Sequence, residues 1–98
     1  MRLEGKVALI TGGGNGMGAE ECRLFAREGA KVVIADIRED DGRKVEAQIA
    51  EAGGEALFVH LDVSDETSWS AAIQETVSRF GRLDLLVNNA GISGSGQP

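Results

Sequence analysis

Eight consecutive residues, Thr11-Gly12-Gly13-Gly14-Asn15-Gly16-Met17-Gly18, hold five glycines. Glycine at this density allows a reversal with φ > 0, backbone contact with a bulky anion, and close packing of a helix on a strand. The run before it, Lys6-Val7-Ala8-Leu9-Ile10, reads as a buried strand; the segment after it, from about Met17 to Glu28, reads as a helix. The free N–H groups and dipole at that helix start supply an anion site with no charged side chain. The chemistry on offer is recognition of a pyrophosphate. Asp36 stands 18 residues after Gly18, at the end of a second apolar run, Lys31-Val32-Val33-Ile34-Ala35-Asp36. A carboxylate there suits hydrogen bonds from ribose hydroxyls and would repel a phosphate on the same sugar. Arg38 is the opposing residue; it reads as surface.

The elements that must position these groups alternate along the chain. Val7–Ile10 is a central parallel strand, covered on both faces. Cys22, Phe25 and Ala26 form the buried stripe of the first helix, which stops at Gly29. The second helix runs from about Glu39 to Ala52, with Val45, Ile49 and Ala52 inward, and stops at Gly53-Gly54. Ala56–Leu61 is a third strand, ending in Asp62-Val63. Ser64 and Asp65 are candidate N-caps of a third helix with Trp69, Ile73, Val77 and Phe80 as its apolar stripe. Gly81 closes it. A fourth strand, Leu83–Val87, leads into Asn88-Asn89-Ala90-Gly91. The order β-α-β-α-β-α-β requires a parallel sheet with right-handed crossovers. The expected fold is α/β, a Rossmann-type three-layer α/β/α sandwich with strand order 3-2-1-4 and a switch point between strands 1 and 4.

Composition narrows the partners. A chain of 98 residues, 42% hydrophobic and 27% charged, suits one globular domain over residues 1–98. A formal net charge of −6, with the basic residues scattered, argues against a nucleic-acid partner. No apolar run approaches the ~20 residues that cross a bilayer, so no membrane partner is expected. Cys22 is the sole cysteine and reads as a small core residue, which with the absence of a leader points to a cytoplasmic setting. His60 has no metal-ligand partner at suitable spacing and reads as a core or boundary histidine. The acidic run Glu39-Asp40-Asp41 suits a helix start and needs no metal.

Counted from Gly12, the loop is Thr-Gly-x-x-x-Gly-x-Gly. With Asp62-Val63 and Asn88-Asn89-Ala90-Gly91 behind it, the chain resembles the N-terminal part of the short-chain dehydrogenase/reductase family. The resemblance covers essentially the whole chain and only the first part of a family member. It implies that Gly12, Gly14, Asn15, Gly16, Met17 and Gly18 surround a dinucleotide pyrophosphate, and that Asp36 and Ile37 meet the adenosine ribose. It further implies that Asp62 and Val63 meet the adenine, while Asn89, Ala90 and Gly91 pass along the cofactor ribose and Asn88 braces the loop. Ser93 and Ser95 fall where family members approach the nicotinamide, but a Gly-Ser stretch is commonly just a tail. The implied cofactor is NAD in preference to NADP, since Asn15 stands where the family's NADP users often carry a basic residue.

The implied activity is hydride transfer between NAD(H) and an alcohol or ketone. Family enzymes use a Tyr-x-x-x-Lys pair and an upstream serine. This sequence has no tyrosine, so no catalytic residue is assigned and the chain alone is expected to be inactive. The alternative is a non-catalytic half-fold that binds a nucleotide or self-associates. Homo-oligomerisation is expected through the apolar edge of Leu83, Leu85, Leu86 and Val87, or through the sheet face that carries a single helix.

Overall fold

The computed structural model describes residues 2–89. The aliphatic runs form strands β1 (Val7–Thr11), β2 (Lys31–Asp36), β3 (Glu55–His60) and β4 (Leu85–Asn88). Between them lie helices α1 (Gly16–Arg27), α2 (Glu39–Glu51) and α3 (Glu66–Phe80). All pairings are parallel, in the order β3-β2-β1-β4. The register sets Thr11 beside Ala35 on one side and Asn88 on the other. Thr11, Asp36 and Asn88 therefore end at one edge of the sheet, where the loops of interest begin.

The two-residue period of the strands divides the core. Ile10, Val32, Ile34 and Phe58 face α1 and α2, meeting Cys22, Val45 and Ile49. Leu9, Val33, Ala35 and Val59 face α3 and meet Ala72. Each fully buried aliphatic side chain contributes roughly 1.5–3 kcal/mol, so the two central strands carry much of the hydrophobic stabilisation. Gly42 lets α2 lie directly on β3, since a Cβ there would fall on the Phe58 ring. Glu46 accepts the Phe58 N–H at 2.8 Å, which occupies part of the β3 edge.

Several local expectations change. The buried residues of α3 are Ala72 and Thr76, whereas Ile73 and Val77 are 38% and 43% exposed. Thr76 tolerates burial because its hydroxyl donates to the Ala72 carbonyl at 2.8 Å. Trp69 and Phe80 are only partly buried against that core. Asp65, not Ser64, is the N-cap, accepting the Thr67 N–H at 2.9 Å. Ala52 lies just past α2 and is exposed, and His60 is exposed at the end of the edge strand β3.

β4 begins at Leu85 instead of Leu83. Asp84 accepts the Val7 N–H through Oδ2 at 2.9 Å and donates its own N–H to the Val7 carbonyl at 2.9 Å. Of the four residues expected along the apolar edge, Leu86 is 52% exposed, while Leu83 and Val87 pack against the core.

Candidate cofactor cleft

The glycines of the loop divide the structural work. Gly12 and Gly16 have φ of +64° and +58°, which β-carbon-bearing residues rarely adopt. A Cβ on Gly18 would fall on the Gly12 carbonyl oxygen, so this glycine lets α1 seat on the end of β1. Gly13 lies over Cys22, whose thiol is pushed up to about 12, first by burial and then by the charge of Glu21. A thiol in that state is a packing group. Gly16, unlike Gly13 and Gly18, has open space where a Cβ would stand. No acidic residue occupies the first turn of α1, and Asn15 at the N-cap makes no capping bond with its side chain. A helix start so arranged favours an anion.

Asp36 faces this start from the end of β2 and is 4% exposed. Its Oδ2 accepts the Gly14 N–H at 2.9 Å and its Oδ1 accepts the Arg38 N–H at 3.0 Å. The acid thus ties the glycine loop to the second strand. Arg38 Nε lies 3.6 Å from Asp36 Oδ1 and 3.7 Å from Asp41 Oδ2. Asp62, beyond β3, accepts the Ser64 hydroxyl at 2.6 Å and the Ser64 N–H at 3.0 Å through Oδ1. Those two bonds, the hydroxyl foremost, hold its carboxyl below the usual carboxylate range.

Thr11 joins the loop to β4. Its hydroxyl donates to Asn88 Oδ1 at 2.9 Å and accepts the Asn89 N–H at 2.8 Å. The Asn89 side chain also donates to the Thr11 carbonyl at 3.3 Å and to Glu21 Oε1 on α1 at 2.7 Å. Asn89, just past β4, is consequently tied across the switch point to both β1 and α1.

These elements enclose a cleft of about 490 Å³ at the carboxyl ends of the strands. Gly12, Asn15, Gly16, Met17, Gly18, Asp36, Ile37, Asp62, Val63 and Asn89 line it together. Gly14 does not. It is buried beneath, where a Cβ would stand 2.7 Å from Asp36 Oδ2 and 3.0 Å from the Asp41 Cβ. Ala90 and Gly91, like Ser93 and Ser95, lie outside the described residues. Leu61 and Arg38 line the cleft as well. Arg38 had read as surface, and Leu61 gave no signal beyond its place at the end of a strand. The residues present fit a dinucleotide: a helix start free of carboxylate, a glycine whose absent side chain leaves the cleft open, and an acid on the next strand. Among the described residues no group of three His, Cys, Asp or Glu could hold a metal, and no helix is long and apolar enough to cross a membrane.

Comparison with known proteins agrees with the geometry. The chain is 56% identical over 91 residues to 2,5-dichloro-2,5-cyclohexadiene-1,4-diol dehydrogenase of Sphingobium indicum, covering 93% of this chain and 36% of that protein. It is 52% identical over 91 residues to 3-alpha-(or 20-beta)-hydroxysteroid dehydrogenase of Mycobacterium tuberculosis, covering 93% of this chain and 34% of the relative. A solved hydroxysteroid dehydrogenase from Escherichia coli superposes with a TM-score of 0.90 at 42% identity, covering 99% of this chain and 40% of the other. The chain spans about a third of the length of the curated relatives it matches. The family described as short chain dehydrogenase matches residues 6–98, and the chain belongs to that family.

Proposed function

We propose that the chain is the NAD-binding part of a dehydrogenase acting on secondary alcohols carried by alicyclic rings, or on the matching ketones. The carrying observation is the start of α1, which opens on the cleft at Gly16 with no first-turn acid and faces Asp36 across it. In this reading the first-turn N–H groups, with Gly12 and Asn15, hold the pyrophosphate. Asp36 and Ile37 hold the adenosine ribose, and Asp62 and Val63 meet the adenine. Asn89, with Ala90 and Gly91, lines the second ribose, while Gly14 acts from beneath by fixing Asp36.

Bound there, NAD would supply the hydride acceptor. The chain's own residues bind it, orient it and hold its two ends apart along the sheet edge. The alicyclic class rests on the relatives, whose names include a cyclohexadienediol, a hydroxysteroid and cyclopentanol. With no tyrosine in the sequence, the family's proton-handling pair has no counterpart here, and the 98 residues alone are proposed to be inactive. A cytoplasmic setting and a single-domain organisation over residues 1–98 belong to the same reading. Calorimetric titration with NAD and ADP-ribose tests it: binding of both is expected, and no heat at millimolar ligand on a folded sample would overturn it.

A second reading, self-association, is favoured by Leu86, 52% exposed on the edge strand β4. Sedimentation should show a dimer or larger species that Leu86→Lys shifts toward monomer. A wild-type monomer at tens of micromolar would remove it.

A further inference from the structure

We propose that Asp41 is a positioning residue for coenzyme selectivity: it shares the Arg38 guanidinium with Asp36 and so withholds that cation from a ribose 2′-phosphate. The inference rests on reading the cleft as a dinucleotide site. Arg38 is the basic residue among those lining the cleft, two positions beyond Asp36. Its backbone N–H is anchored on Asp36 Oδ1 at 3.0 Å, so the stem of the guanidinium starts at the ribose acid. The guanidinium then lies between two carboxylates, 3.6 Å from Asp36 and 3.7 Å from Asp41.

Asp41 reaches this position because residue 14 has no side chain. The Gly14 Cα sits against both Asp36 and the first turn of α2, and a Cβ would press on Asp36 Oδ2 and the Asp41 Cβ. Three residues distant in sequence therefore meet in one contact. Glu39 and Asp40 add to the negative charge of that turn. A 2′-phosphate brings nearly two further negative charges. It would meet Asp36 directly, and would have to compete with both carboxylates for the charge of Arg38. NAD carries only an uncharged hydroxyl at that point, which can donate to Asp36 and leaves the guanidinium where it is. Half-exposed ion pairs of this kind are individually weak, so Asp41 is a modest second filter behind Asp36.

Dissociation constants for NAD and NADP, measured by calorimetry on the 98-residue chain, test the assignment. Asp41→Asn should tighten NADP by about 2–5-fold, the range of one exposed pair, with NAD unchanged. Adding Arg38→Gln should abolish the gain. If Asp41→Asn moves both coenzymes equally, Asp41 acts only on stability and the inference falls. If the gain survives in the double variant, it is repulsion relieved without Arg38, and the inference falls too. The wild-type preference is a separate readout: a chain that favours NADP contradicts the proposed NAD reading, whereas this inference depends only on how the ratio shifts.

Discussion

α1 and α3 both begin at the carboxyl edge of the sheet, yet their first turns are built in opposite ways. α3 supplies its own negative charge: Asp65 caps the Thr67 N–H at 2.9 Å and Glu66 follows in the first turn. α1 supplies none, and its N-cap Asn15 leaves its side chain out of the cap. Every helix start carries about half a positive charge and several N–H groups without intrahelical partners. At α3 the protein caps one of them, the Thr67 N–H, and sets the Asp65 and Glu66 carboxylates against the charge. At α1 it gives up about 1 kcal/mol of capping stability, which suits the anion site proposed above. A helix start facing a cleft is thus best judged by what does not cap it.

The largest way to break this comparison is to unseat α1. Gly18→Ala places a Cβ on the Gly12 carbonyl oxygen, which is backbone and cannot swing away. We expect a loss of about 3 kcal/mol or more, seen as a fall of more than roughly 10 °C in the unfolding midpoint. An unchanged midpoint would mean that α1 can slide along β1 without cost.

Gly16→Val comes next and separates folding from binding. The φ of +58° costs a valine roughly 1–2 kcal/mol, so the chain should still fold. The added side chain enters the open side of the turn, and NAD titration should show no heat. Retained affinity would place the pyrophosphate elsewhere.

Much of this arrangement was legible in the sequence. The strand order and the placing of two helices against one followed from the alternation of apolar runs, which parallel connections allow to close in few ways. The stripe of α3 was misread because two sets share the helical period. Trp69, Ile73, Val77 and Phe80 is the more apolar set, and Trp69, Ala72, Thr76 and Phe80 is the one that packs. A threonine bonded to its own helix can enter a core, and nothing in its neighbours announces that bond. Likewise, five glycines look alike in sequence. Only their surroundings show that Gly16 faces the cleft while Gly14 faces Asp36. The second role of Asp36, holding the loop through the Gly14 N–H, depends on β1 lying beside β2 and could not be read from spacing.

The comparison sharpens when the two helix starts are exchanged. Asn15→Asp gives α1 the charge that α3 carries, and should raise stability by about 0.3–1 kcal/mol while weakening NAD by like-charge repulsion. Asp65→Ala should lower stability by about 1 kcal/mol and leave NAD affinity alone. Urea unfolding and calorimetry on both variants decide it. Stability and affinity rising together in Asn15→Asp would show that the α1 start does not meet a phosphate.

The smallest effect is one of pH, and it too sets the two starts apart. The turn entering α3 hangs on Asp62, whose carboxyl is held below the ordinary aspartate value of about 3.9 by the Ser64 hydroxyl and N–H. Because the folded state lowers this value, its contribution is complete above the ordinary value. It is lost as pH falls through the folded one. The first turn of α1 holds no acidic residue, so Asp62 has no counterpart in it. In an amide titration by NMR, the Ser64 resonance should move with a midpoint below that of a free aspartate, and Asp62→Asn should abolish the movement. The same substitution should leave the Met17 amide unmoved over the same interval. A Met17 amide whose titration changes with Asp62→Asn would show that the two helix starts share one electrostatic environment, and that the openness of α1 is not a property of its own first turn.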